Sequence, residues 1–102
     1  MKKNYCPNLT KMPLSTLFDA LGDPARIDII LMLLDGKEVS CGQCKSPLSK
    51  STMSHHFKVL REAGLIQKRE EGKIHYISLR VEEIEKRLPG FLKLLTLIRK
   101  PF

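Results

Sequence analysis

Apolar positions along this chain fall into helical stripes near its start, middle and end, with a period-two pattern once between them. Leu14, Leu17, Phe18 and Leu21 stand at i, i+3, i+4 and i+7, which at about 100° per residue lines one face of a helix over residues 13–21. Pro13 suits its first turn and Gly22 ends it. Asp23-Pro24 opens a second helix, reaching to about residue 34, with a capping carboxylate ahead of a proline whose missing N–H costs nothing there. Ile27, Ile30, Leu31 and Leu34 form its main stripe, and Ile29, Met32 and Leu33 widen it until both sides need covering. This is a central core helix.

Residues 49–65 carry a third, sharply two-sided pattern. Met53, Phe57 and Leu60 recur at i, i+4 and i+7 as the inward stripe, and Ser51, Ser54, His55, Lys58 and Glu62 fall opposite. Lys50 and Arg61 flank that polar face, and His56 and Val59 lie toward its margins. Ser49 is a good N-cap, because its hydroxyl can accept from an amide that the first turn leaves unpaired. Gly64 supplies the stop, with Leu65 packing back onto the last turn. Directly afterwards, residues 66–79 read as a β-hairpin around a Glu71-Gly72 turn. Ile74, Tyr76 and Ser78 alternate with Lys73, His75 and Ile77, so Ile74 and Tyr76 are expected to hold the hairpin against the core.

Two segments complete the pattern. Residues 81–88 place acidic side chains early and Lys86-Arg87 late, an order that suits a helix dipole, before Pro89-Gly90 interrupts. Phe91, Leu92, Leu94, Leu95, Leu97 and Ile98 then make a final helix that is apolar around most of its circumference. A small domain could hardly bury it alone, although it could also cap the core of a monomer. Residues 37–48 are the weakest stretch, since Gly42 and Pro47 both oppose helix formation, but a short helix is expected there. Residues 1–12 read as a flexible tail ahead of one domain over residues 13–102.

A chain of 102 residues suits a single domain. Its 42% hydrophobic content supports a modest core, and the shortage of covering surface points to dimerisation. The net charge of +7 implies a polyanionic partner without choosing among DNA, RNA and an acidic membrane. Residues 49–80 hold seven Lys or Arg against three Glu, so much of the excess lies on the third helix and the hairpin. Met1-Lys2-Lys3 is not followed by an apolar run, and the longest apolar stretch is far shorter than a membrane span. A cytoplasmic protein with no membrane partner is the expectation.

An isolated helix with the polar face of residues 49–63 would more often be an ordinary solvated surface helix. The basic hairpin that follows changes the reading. Hydroxyls, an imidazole and ammonium groups can donate to base edges and phosphate oxygens in a major groove, and a hairpin bearing Lys68, Arg69 and Lys73 can lie along the backbone. The arrangement is a winged helix-turn-helix. Three runs stand in order: ALGDPARIDIILMLL over residues 20–34, SKSTMSHHFKVLREAGLI over 49–66 and KREEGKIHYISL over 68–79. On these the chain resembles the ArsR/SmtB-type family of winged helix-turn-helix repressors from about residue 14 to residue 79.

That resemblance implies a mainly α fold with a small β-hairpin: four helices, two strands and a closing helix. It also implies a homodimeric repressor on double-stranded DNA, with two copies of the 49–63 helix entering successive major grooves of an inverted-repeat operator. The contacts expected are Lys50, Ser51, Thr52, Ser54, His55, Lys58 and Arg61 from the helix, and Lys68, Arg69 and Lys73 from the wing. Family members pair their first and last helices across the dimer, which here would use Leu14, Leu17, Phe18, Phe91, Leu94, Leu95 and Ile98.

Residues 37–48 correspond to the first helix of the reading motif, with Ser46-Pro47-Leu48 as its turn. Many metal-sensing members carry a Cys-x-Cys pair in this segment. This chain has Cys41 and Cys44 instead, and Glu38, Val39 and Ser40 stand where the pair would fall. Cys6, Cys41 and Cys44 are candidate ligands for a soft metal ion or candidate thiol sensors, against the plainer role of small buried hydrophobes. No cofactor is otherwise expected. A single CxxC falls short of a zinc ribbon and lacks the strand-to-helix setting of a redox enzyme. No serine or cysteine sits in a nucleophile motif, so an enzyme is not expected. An RNA-binding module is the remaining rival, but the six aromatic residues are spread mostly through core positions and offer no stacking platform.

Overall fold

A computed structural model describes residues 8–40 and 48–98. Its elements are a 3-10 turn (Leu9–Lys11), α1 (Leu14–Ala20), α2 (Pro24–Met32), β1 (Val39–Ser40), α3 (Lys50–Glu62), β2 (Ile66–Glu71), β3 (Ile74–Leu79), α4 (Val81–Arg87) and α5 (Phe91–Ile98). The strands form one antiparallel sheet in the order β1-β3-β2. Among the described residues, five helices and a three-stranded sheet make the expected winged helix-turn-helix, with one strand more than the hairpin and both helices that the pattern placed after it.

Local chemistry sets the boundaries. Pro13 stands at the N-cap of α1 rather than inside its first turn, and its carbonyl accepts from Leu17 N–H. Asp23 caps α2, its carboxylate accepting from Ala25 N–H at 2.8 Å with Pro24 at the first helical position. The N-cap of α3 is Ser49, whose hydroxyl accepts from Thr52 N–H at 3.2 Å. At the other end Gly64 has φ +87, and two crossed bonds close the helix: Leu65 N–H donates to Leu60 and Gly64 N–H to Arg61. This glycine-terminated closure satisfies carbonyls that the helix end would otherwise strand.

The hairpin turn falls one residue later than expected. Glu71 pairs with Ile74, so the loop is Gly72-Lys73, and Gly72 at φ +62 supplies the positive φ that a tight two-residue turn needs at its first position. The inward residues also differ from expectation. Ile77 and Leu79 are buried together with Ile66, whereas Ile74 is exposed and Tyr76 only partly covered. The cross-strand pairs decide this, because Ile66 opposite Leu79 brings two large apolar side chains onto one face. Ser78 is buried as well, with its hydroxyl accepting from Gln67 Nε2 at 3.2 Å.

Two stretches differ from expectation where they are described. Residues 37–40 are not helical: Val39 pairs with Ile77 and Ser40 with Tyr76, so this stretch completes the sheet on the free edge of β3. The rest of the short helix expected there, residues 41–47, lies outside the described residues. Within the stretch expected as a tail, Leu9 is fully buried and its 3-10 turn packs on α4, where Arg87 Nη2 donates to Met12 O at 3.0 Å; residues 1–7 lie outside the described residues. The core that results joins Leu9, Leu17, Ile30, Leu33, Leu60, Leu65, Ile66, Ile77 and Ile84. At roughly 1.5–3 kcal/mol for each such side chain, burial is what holds α3 and the hairpin in place.

Candidate nucleic-acid interface

The outer face of α3 is presented as its spacing predicted. Lys50, Ser51, Thr52, Ser54, His55 and Lys58 are exposed and Arg61 is partly so, while Phe57 and Leu60 are buried beneath them. Hydroxyls gather at the helix start. Ser49 donates to Thr52 Oγ1 at 2.9 Å, and Ser51 Oγ lies 3.2 Å from Ser49 Oγ. Such a helix start offers side-chain hydroxyls and unpaired backbone amides to an anionic oxygen on one side. Lys50, Lys58 and Arg61 make no ion pair among the described residues.

The wing is arranged differently from the uniform basic tip expected of Lys68, Arg69 and Lys73. Arg69 donates through Nε and Nη2 to the two carboxylate oxygens of Glu38, both at 2.8 Å, and through Nη1 to Glu71 at 2.8 Å. Its guanidinium also stacks 4.6 Å from the centre of the Tyr76 ring. These bonds raise the Arg69 pKa further above its ordinary value and hold the Glu38 carboxyl below the usual carboxylate range. Lys68 lies 3.6 Å from Glu70, which is also 3.8 Å from His75. Of the three wing cations, Lys73 alone makes no ion pair among the described residues. The pairing depends on Glu38, thirty-one residues before Arg69 in the chain, so no local pattern reveals it.

Sequence spacing alone did not reveal a part-buried contact behind α3. His56 is 7% exposed, not marginal, and its Nδ1 lies 3.2 Å from Arg26 Nη1. Arg26 Nε donates to Ala20 O at 2.7 Å and Nη2 to Asp19 O at 3.4 Å, so one guanidinium on α2 spans the end of α1 and the back of α3. A signal for His56 did exist: it stands three residues after Met53 and four before Leu60, which is the spacing of the core stripe.

The residues expected at a dimer interface separate into two groups. Leu17 and Leu95 are buried in the core of the protomer, because each stripe turns one edge inward. Leu14, Phe18 (56% exposed) and Leu94 (52% exposed) face outward and Phe91 is half-buried. Leu97, 63% exposed, joins them unexpectedly. The Ile98 side chain lies outside the described residues, as do Cys6, Cys41 and Cys44. Among the described residues no cluster of His, Cys, Asp and Glu could hold a metal ion, and no helix is long and apolar enough to cross a membrane.

Known proteins share both sequence and architecture with this chain. Residues 23–68 match the profile described as bacterial regulatory protein, arsR family. The chain is 46% identical over 82 residues to the uncharacterized HTH-type transcriptional regulator YceK of Bacillus subtilis, covering 78% of this chain and 82% of that one. It is 33% identical over 73 residues to an arsenical resistance operon repressor of Staphylococcus xylosus, covering 71% and 70% of the two chains. Among solved structures, reduced HlyU from Vibrio cholerae superimposes with a TM-score of 0.68 at 31% identity, over 84% of this chain and 88% of that one.

Proposed function

Because the chain belongs to the arsR family of bacterial regulatory proteins and is a transcriptional regulator with that family's DNA-binding helix-turn-helix fold, we propose that it acts as a homodimeric repressor on an inverted-repeat operator. The observation that carries this reading is the outer face of α3, where Ser51, Thr52, Ser54, His55 and Lys58 stand exposed over buried Phe57 and Leu60. In a major groove, Ser51, Ser54 and His55 would read base edges, and Lys50, Lys58 and Arg61 would hold phosphates. Lys73 adds a wing contact, while Lys68 and Arg69 first have carboxylates to leave.

Pairing of two copies is supported by Phe18, Leu94 and Leu97, large apolar side chains that one protomer leaves in water. The test is selection of bound sites from random duplex DNA. Half-sites related by a dyad and centred about one helical turn, roughly 34 Å, apart are expected. Selected sites without dyad symmetry would refute the docking, and a reporter silenced by the protein would separate repression from activation.

A metal- or thiol-responsive form of the same repressor is favoured by one observation, the likeness to an arsenical resistance operon repressor. Cys41 and Cys44, with Cys6, would be the thiolate donors for a soft ion. A Cys41→Ser/Cys44→Ser variant that keeps the parent's operator affinity and its response to zinc, cadmium, arsenite and peroxide would refute it.

A further inference from the structure

The part-buried contact between Arg26 and buried His56 has a chemical consequence that reaches the DNA-reading face. A guanidinium has only donors, so the 3.2 Å approach of Arg26 Nη1 to His56 Nδ1 requires a lone pair on that nitrogen. The tautomer that supplies this acceptor is the one with its proton on Nε2. Two more Arg26 donors go to Ala20 O and Asp19 O at the end of α1. Packing of Phe57 and Leu60 brings α3 against the core, but apolar contact is non-directional. The Arg26–His56 bond has a direction, and it acts on the side of α3 away from Ser54 and Lys58.

We propose that Arg26 and His56 form a positioning pair that sets the orientation of α3, and that one proton releases it. The inference rests on the reading of α3 as the DNA-reading helix. A second proton on the imidazole must occupy Nδ1, which removes the acceptor and places two cations against each other in a part-buried contact. Among the described residues, the groups facing the ring are Arg26 from α2, the exposed His55 ring 5.8 Å away on α3 itself, and, through Arg26, the backbone carbonyls of α1. Among the described residues no carboxylate is paired with either Arg26 or His56, so nothing there offsets the added charge. The contact breaks, α3 keeps its apolar packing but loses this directional bond to Arg26, and operator affinity falls on acidification.

The experiment measures binding of a selected operator duplex by fluorescence anisotropy between about pH 8 and pH 5, the range in which a histidine charge changes. Parent, His56→Asn and His56→Leu proteins are compared. Asn sets an amide oxygen near the position of Nδ1 and does not titrate, whereas Leu fills the space without an acceptor. The parent should lose roughly tenfold or more in affinity across that range, the scale of a hydrogen bond to a charged group. His56→Asn should bind with little pH dependence and more tightly than His56→Leu at pH 8.

An equal pH dependence in His56→Asn would assign it to another titrating group, such as His55 or His75, and overturn the inference. A parent whose affinity does not change with pH would overturn it as well, while a parent that prefers no duplex sequence would instead overturn the functional reading of α3. Should the variants fold poorly, nitrogen-15 NMR of the parent reads the ring directly. A proton on Nδ1 at pH 8 would refute the proposed bond, and an unprotonated Nδ1 would support it.

Discussion

Lys58 and Arg69 carry the same formal charge, yet they should differ sharply in what they give to DNA binding. Lys58 stands exposed on α3 with no ion pair among the described residues. Arg69 makes three 2.8 Å bonds to Glu38 and Glu71, so a phosphate must displace two carboxylates before it gains a cation. Deleting a single cation–phosphate pair lowers the slope of log affinity against log salt by about 0.9 for duplex DNA. Lys58→Ala removes one such pair from each protomer of a dimer, so the slope should flatten by about 1.8. Between about 50 and 200 mM salt, a change of about 0.6 in the logarithm, the variant's affinity should fall by about 1.1 log units less than the parent's, or roughly tenfold less. Replacing Arg69 and Glu38 together by Gln leaves the net charge of the wing unchanged and should leave the slope within about 0.3 of the parent. Anisotropy titrations of one operator duplex at four salt concentrations measure both. If the Arg69→Gln/Glu38→Gln protein flattens as much as Lys58→Ala, Arg69 leaves its carboxylates for phosphate in the complex, and the reasoning from ion pairing is wrong.

Other outcomes follow from the same geometry. Phe18→Asp combined with Leu94→Asp should give a monomer by light scattering with weakened operator binding, because both side chains are more than half exposed in one protomer; a wild-type protein already monomeric at micromolar concentration would remove the basis for the change. Ser49→Ala deletes the cap of α3 and should lower stability by about 1 kcal/mol in urea unfolding, with an unaltered midpoint counting against the cap. Gly64→Ala places a side chain at φ +87 and should cost about 1–2 kcal/mol in the same assay. Its added methyl would meet Leu9 only at an ordinary 3.4 Å, so the destabilisation should trace to the backbone rather than to a clash.

The parts of this fold that can be read from the chain are those decided locally. A capped, glycine-terminated helix such as α3 announces itself because Ser49, the Met53-Phe57-Leu60 stripe and Gly64 all lie within one short stretch and agree. What escaped depends on partners distant in sequence. Val39 and Ser40 become a strand because β3 offers them an open edge, not because two residues prefer it. Leu9 is one leucine in a polar stretch until α4 arrives to cover it. Arg69 reads as a phosphate contact until Glu38 is beside it. The stripes of α1 and α5 were correctly apolar, but only packing decides which edge turns inward, and it took Leu17 and Leu95 while leaving Phe18 and Leu94 outside.

The contact between the Leu9–Lys11 turn and α4 bears on how the protein is made. Arg87 reaches Met12 across seventy-five residues, and a polypeptide leaves the ribosome at about 5 to 20 residues per second. For about 4 to 15 seconds, then, the early segment waits without the surface it will lie against. During that interval α3 and the hairpin have emerged in the main, but the core beneath them is incomplete. Domains fold as units, so cooperative closure must await α4. A nascent chain interrupted before Arg87 should therefore expose the leucines and isoleucines that the finished regulator hides, and present itself to chaperones and proteases rather than to DNA.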